Sequence, residues 1–400
     1  MKITIIYSGV ENSYLVGLVI GLSNLSHLKI DVIDSDNSIG KFDDLTNVNF
    51  LNYRGSLEPG AGSLAKVNRI LKYYLRLIIY AYKTDSKLLH IQWMNKFIYF
   101  DRTILNLYYK ILGKKLIFTA HNINAKKRNN RDNILNRLSL KAHYKLMDHI
   151  IVHNNKMKEE LINEFNISKQ KVSVISFGLN VKAPQIVVSK QQAISYLGLP
   201  ENKKYILFFG GIINYKGLDV LINAFKLMLE SDKSYHLIIA GNPREQEYFQ
   251  QIEKLLNEIK IDENCTRHFK YIPDLDIPYY FYAADCCVLP YKSIFQSGVH
   301  TLSYAYGLPV IASDVGSFKD DDVLENETGF IFKPLDHHDL KMTLIKYFKS
   351  PLYLQLPQTR IHINNWAQKK YSWIEIGKKT SNLYQHICNN EKLTGVNFDQ

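Results

Sequence analysis

Short apolar runs alternate with helical patterns along this chain, and the alternation occurs twice. In the first half, Ile3–Tyr7, His27–Ile33, Leu88–Gln92, Lys115–Thr119 and Ile150–His153 read as strands, with helical spacing over Gly62–Lys83 and Asn133–Leu146. In the second half, Tyr205–Phe209, His236–Ala240, Cys286–Leu289, Pro309–Ala312 and Gly329–Phe332 repeat the pattern. Apolar strands separated by helices form parallel sheets with helices packed on their faces. A chain of 400 residues also exceeds the ~250–300 residues at which one core stops growing. The predicted fold is therefore α/β, with two doubly wound, Rossmann-like domains. Residues 1–182 are assigned to the first, 183–363 to the second and 364–388 to a terminal helix.

Composition excludes several classes. Cys265, Cys286, Cys287 and Cys388 form no C-x-x-C pair, which points to a reducing compartment and away from disulfides or a metal site. Asp34-Ser35-Asp36 has the spelling of a metal-binding pair but reads as a solvated turn, so no metal is expected. No apolar run approaches the ~18 residues of a membrane span, and MKITIIYSGV reads as a first buried strand rather than a signal peptide. The net charge of +12 resides in the first half: residues 1–180 hold 26 Lys and Arg against 14 Asp and Glu, and residues 181–400 hold 24 of each. No zinc finger or RNP-type strand accompanies this excess. It suits an anionic membrane surface or a phosphorylated substrate better than nucleic acid; plain solubility charge is the simpler alternative.

The segment Tyr205–Phe225 reads YILFFGGIINYKGLDVLINAF. A strand empties through Gly210 and Gly211, past Lys216, onto a helix, and such a turn can hold an anion. The glycines let backbone N–H groups approach it, the lysine adds a point charge, and the helix N-terminus adds its dipole. The turn is neither a Walker A loop nor a G-x-G-x-x-G fingerprint. From Asp285 the chain reads DCCVLPYKSIFQSGVHTLSYAYGLPVIASDVGSF. Taken together, Gly-Gly…Lys-Gly-Leu-Asp, Ala-Asp-x-x-Val-Leu-Pro-Tyr and Gly-Leu-Pro-Val-Ile-Ala-Ser-Asp resemble glycosyltransferase family 4, most strongly between residues 172 and 335.

The resemblance implies a GT-B fold, with two domains facing across a cleft and the last helix crossing back to the first. It implies retaining, metal-independent transfer of a sugar from a nucleotide diphospho-sugar, without a bound cofactor. The acceptor would be a glycan, lipid-linked in cell-surface polysaccharide synthesis, at the cytoplasmic face of the membrane. Lys216 and His121, the latter in FTAHNIN, are the expected catalytic residues. The donor is expected at Gly9, Gly210, Gly211, Tyr271, Ile272 and the helix start Gln296-Ser297-Gly298-Val299, where Ser297 is a good N-cap. Lys126, Lys127 and Arg128 are expected at the acceptor. Helix 62–83 places Lys66, Arg69, Lys72 and Arg76 among Leu64, Val67, Leu71, Leu75 and Ile78, a pattern that suits a bilayer surface or a core-packing helix with a basic face. Two departures stand out. The arginine that usually precedes the lysine by five positions is Gly211, and the usual pair of glutamates falls at Ile294 and Leu302. The alternative reading is thus a catalytically silent GT-B protein that binds nucleotide-sugar or partners an active transferase.

Overall fold

The computed structural model describes residues 1–9, 12–56, 62–128, 132–179, 186–259, 261–294 and 297–389. Gln296 lies outside the described residues, as does the side chain of Arg128. The chain divides into two units, Met1–Val181 with Tyr371–Gln400, and Lys182–Lys370.

In the first unit, seven strands are described: β1 (Lys2–Ile6), β2 (Lys29–Asp34), β3 (Val48–Asn52), β4 (Leu88–Ile91), β5 (Lys115–Thr119), β6 (His149–Val152) and β7 (Val172–Val174). Their order is β3-β2-β1-β4-β5-β6-β7, and every pairing is parallel. In the second unit, six are described: β8 (Lys204–Phe209), β9 (Tyr235–Ala240), β10 (Cys265–His268), β11 (Cys286–Leu289), β12 (Val310–Ser313) and β13 (Gly329–Phe332). Their order is β10-β9-β8-β11-β12-β13, again all parallel. Both sheets therefore reverse direction beside their first strand, and ligands bind outside the strand carboxyl ends at such a switch point.

The sequence pattern finds the central strands and misses β3, β7 and β10, which lie at sheet edges. β3 is half-exposed and includes Asn49 and Asn52, and β7 spans only three residues. Asp34 corrects the solvated-turn reading: it is fully buried, accepts from Ser38 Oγ at 2.6 Å, and burial raises its carboxyl above the ordinary range.

The expected single terminal helix over 364–388 is parts of two helices, Leu356–Lys370 and Trp373–Cys388. Ser372 caps the second, accepting from Glu375 N, and this lets Trp373 turn into the first unit. Its indole Nε1 donates to Leu179 O at 2.6 Å. The ring fills the space that side chains would otherwise need at Gly17 and Gly178, where added Cβ atoms would stand 2.0 and 2.3 Å from it. One turn along helix Ser13–Ser23, a Cβ at Gly21 would meet Trp373 O at 1.9 Å. Small residues thus bring these two helices to backbone contact. Gly21→Ala should cost ~1–3 kcal/mol, the scale for forcing a methyl into a packed core, read as a lower urea midpoint with an unchanged m-value.

Candidate functional site

In the second unit the carboxyl ends of β8 and β11 flank the switch point. After β8 the chain passes Gly210, at φ 104°, which a residue with a Cβ adopts only under strain. A short 3₁₀ turn, Asn214–Lys216, then leads into helix Leu218–Leu229. Three interactions hold this turn. Asn214 N donates to Glu245 Oε2 at 2.9 Å, Lys292 Nζ donates to Asn214 Oδ1 at 2.7 Å, and Lys292 pairs with Asp219 at 3.0 Å. Lys216 folds back under the turn: a Cβ on Gly210 would lie 2.6 Å from its Nζ and 3.5 Å from Val299 Cγ2. Gly210, Lys216 and the start of helix Gly298–Ala305 therefore converge. Ser297 caps that helix, its Oγ accepting from Val299 N at 3.2 Å and meeting Tyr291 OH at 3.1 Å. Gly298 has open space where a Cβ would be.

Lys216 is half-buried by area, yet its pKa is pulled down to about 8, chiefly by desolvation, with the nearby Arg244 charge acting in the same direction. No carboxylate stands within ion-pair distance of it among the described residues. A partly desolvated ammonium beside a helix N-terminus is an anion cradle. Tyr271, following β10, is largely exposed and free to stack on a planar ring, whereas the Ile272 side chain is buried and offers a site only its backbone.

In the first unit, the turn after β1 is tied down by Arg54 Nη1, which donates to Gly9 O at 2.8 Å, while Ser8 Oγ bonds Tyr73 OH at 2.7 Å. His121 follows β5, and its protonation can be deduced. His153 Nδ1 lies 2.9 Å from Ile175 O, and a carbonyl only accepts, so Nδ1 carries the proton. Burial holds His153 neutral, with a pKa of about 4, so its Nε2 accepts from His121 Nδ1 at 3.0 Å. Burial, then His153 and His90, keep His121 well below the imidazole range. Its Nε2 therefore presents a bare lone pair, without a partner among the described residues. It suits a hydroxyl donor rather than a phosphate oxygen. His90 is spent inside the fold, between Tyr384 OH and Thr119 Oγ1.

His121 opens into a cavity of about 260 Å³ that Gln92, Trp93, Arg102, Lys126 and His143 also line. Both Gln92 amide atoms, Arg102 Nε and His143 Nε2 are buried without partners among the described residues. Orphaned buried donors and acceptors cost ~1–3 kcal/mol each and mark a place for a polar ligand or ordered water. Lys126 also reaches Tyr99 OH at 3.1 Å, whereas Lys127 is paired with Glu164 and Glu160 outside this lining. Sequence reading did not find Gln92, Arg102 or His143, which resemble ordinary core and helix residues until the cavity brings them together. No group of three His, Cys, Asp or Glu side chains among the described residues is placed to hold a metal ion.

Residues 189–370 match the family Glycosyl transferases group 1, and residues 53–183 match Glycosyltransferase Family 4. The chain carries a glycosyltransferase family 4 domain followed by a group 1 domain. Its fold is GT-B. Sucrose-phosphate synthase from Thermosynechococcus elongatus superposes at TM-score 0.75 with 19% identity, covering 98% of this chain and all of that one. Anabaena HepE in complex with UDP gives 0.71 and 14%, covering 96% and 100%. Among curated relatives, an uncharacterized glycosyltransferase of Methanocaldococcus jannaschii is 27% identical over 59% of each chain. D-inositol 3-phosphate glycosyltransferase of Corynebacterium glutamicum is 25% identical over 70% of this chain and 68% of its own. The chain thus spans about three fifths to two thirds of the length of these relatives.

The family 4 domain also carries an unusual surface. On helix Ser63–Lys83, Tyr73, Tyr74, Leu77 and Ala81 face the core, while Leu64 (88% exposed), Val67, Leu71, Leu75 and Tyr82 face solvent. Tyr73 and Tyr74 are therefore core residues, and the named leucines form the outer stripe. Tyr108 OH, donating to Ile78 O at 3.0 Å, joins this helix to its neighbour, where Ile104, Leu107 and Ile111 are exposed. Arg102 joins that neighbour to helix Ile134–Leu146, bonding Asn136 Oδ1 at 2.9 Å; Ile134, Leu135 and Leu138 are exposed there. Among the described residues no helix is long and apolar enough to cross a membrane.

If His153 orients His121, His153→Ala should lower turnover ~10–100-fold, the scale for removing a partner that orients a functional imidazole. Adding it to His121→Ala should cost little more, because the two act as one unit. Additive losses in a double-mutant cycle would detach His153 from the role.

Proposed function

We propose that this chain is a retaining glycosyltransferase that moves a sugar from a nucleotide diphospho-sugar to a lipid-linked glycan in cell-surface polysaccharide synthesis. The observation that carries it is the convergence of Lys216, Gly210 and the N-terminus of helix Gly298–Ala305 at the switch point. In the reaction the bond from the anomeric carbon to the diphosphate breaks, an acceptor hydroxyl oxygen bonds that carbon, and the hydroxyl's proton passes to an oxygen of the departing diphosphate. Lys216 and the helix N-terminus stabilise the charge that develops on the departing nucleoside diphosphate, without a bound metal. His121 Nε2 accepts from a hydroxyl of the donor sugar. The acceptor's polar end takes up the orphaned groups of the cavity at Gln92, Arg102 and His143, with Lys126 beside them. HepE, a fold relative, has been solved with UDP-glucose, which makes UDP-sugars the first donors to try.

Nucleoside diphosphate release from a panel of nucleotide sugars, with EDTA present, tests this reading. Turnover should persist, and NMR of the product should show the donor's anomeric configuration. An inverted anomer removes the retaining assignment, and no turnover with any donor favours the silent alternative. Lys216→Ala should lower turnover ~10²–10³-fold, as for one preorganised charge stabiliser. Lys216 is charged below its depressed pKa of about 8 and neutral above it, so nucleoside diphosphate affinity should fall as pH rises from 7 to 9. Affinity flat across this range in calorimetry would mean that the lysine does not bear the charge.

The three-helix face fits attachment to an anionic bilayer. Its leucines and isoleucines would enter the acyl boundary, while Lys66, Lys72 and Arg76 meet headgroups at ~1 kcal/mol each. Co-sedimentation should be strong with phosphatidylserine vesicles, weaker at high salt, and lost in a Leu64/Leu71/Leu75 triple aspartate variant. Equal binding to neutral vesicles would reduce the basic half to solubility charge.

A further inference from the structure

Gly211 stands where an arginine would complete the phosphate clamp beside Lys216, and a glycine cannot supply a guanidinium. A neighbouring loop brings one to the same place. Beyond β8 and β9 the pairing continues as an isolated parallel bridge between Ile212 and Pro243. Ile212 N donates to Asn242 O at 2.9 Å, and Arg244 N donates to Ile212 O at 3.0 Å. The Glu245 carboxylate accepts from Asn214 N, closing the loop onto the turn that carries Lys216. This register lays the Arg244 side chain across Gly211: a Cβ there would meet Arg244 Cγ at 3.1 Å and Nε at 3.6 Å. The guanidinium has no hydrogen bond or ion pair among the described residues, and its charge reaches Lys216. Two cations held near each other without a carboxylate repel, and an anion between them removes the repulsion.

We propose that Arg244 supplies the arginine half of the diphosphate clamp, entering from the β9 loop instead of the β8 loop, with Gly211 kept small to admit it. The assignment rests on the glycosyl-transfer reading and deepens it. The planar fork binds the diphosphate bidentately, which a lysine cannot reproduce. Glycine at position 211 is then tolerated beside a full Lys-Gly turn, because the guanidinium comes from the neighbouring loop.

An arginine transfer tests it. Titration calorimetry with UDP, GDP and ADP first identifies the diphosphate that wild type binds, and its monophosphate serves as control. Arg244→Ala should weaken the diphosphate about 10- to 100-fold, the range for charge-assisted hydrogen bonds, and the monophosphate less. Arg244→Lys should recover only part of this. Gly211→Arg alone should also bind poorly, because its side chain collides with Arg244. The double variant Gly211→Arg/Arg244→Ala should regain affinity, since position 211 has no left-handed φ and the obstructing side chain is gone. Rescue of the diphosphate in the double variant is a result that a merely structural arginine would not give. Unchanged diphosphate affinity in a folded Arg244→Ala protein overturns the assignment alone. Wild type that binds none of the three overturns the glycosyl-transfer reading and the assignment with it.

Discussion

Everything in this chain depends on the pairing of strands buried on both faces. β1, β4, β8 and β11 have almost every side chain buried, so their backbone groups must be satisfied entirely by neighbouring strands. Parallel pairing achieves this only with helical crossovers, and the strand order then opens each sheet at its switch point. The loops leaving β8 and β11 flank that opening in the second sheet. The polar machinery is concentrated at these loops because the interior of the sheet has no place for it.

Lys216 shows what that position costs and provides. An ammonium withdrawn from water without a carboxylate is expensive, and proteins usually relieve the expense by pairing or by neutralising the group. Lys110 is paired with Asp148 and Lys190 with Asp285. Lys216 instead keeps a helix N-terminus, a glycine turn and a second cation for company. Such an arrangement is unfavourable when empty and favourable when it holds an anion, which is how a site gains selectivity for charge that develops during a reaction. His121 has the opposite character: a neutral ring with its proton turned inward toward His153 and an acceptor atom turned outward. The first unit thus offers a lone pair and the second offers positive charge.

The central strands, the glycine turn and the Ser297 cap were legible in the sequence because each rests on local chemistry: an apolar run, a left-handed backbone, a hydroxyl at a helix start. Edge strands β3, β7 and β10 were less so, since β3 and β10 are partly exposed and mix polar with apolar residues, and β7 spans only three residues. The outer stripe on helix Ser63–Lys83 was legible as a pattern but not as a surface. Leu64, Val67, Leu71 and Leu75 have the spacing of a core face, and only the packing of Tyr73, Tyr74 and Leu77 reveals that the core lies on the other side. Lys127 looked like its neighbour Lys126, yet Glu160 and Glu164, more than 30 residues away in sequence, neutralise one and not the other.

Arg244 was invisible for a more general reason. A motif records which residue type follows which along the chain, whereas a phosphate responds only to where the guanidinium is. Loops that leave adjacent parallel strands end within a few ångströms of one another, so a side chain lost from one can be supplied by the next. The isolated bridge at Ile212 and Pro243 and the Glu245–Asn214 hydrogen bond tie the β8 and β9 loops into one surface. The absence of an arginine at position 211 then says nothing about the charge of the site. A chain with this topology loses its clamp only when both loops lack a cation, and here the second loop retains one.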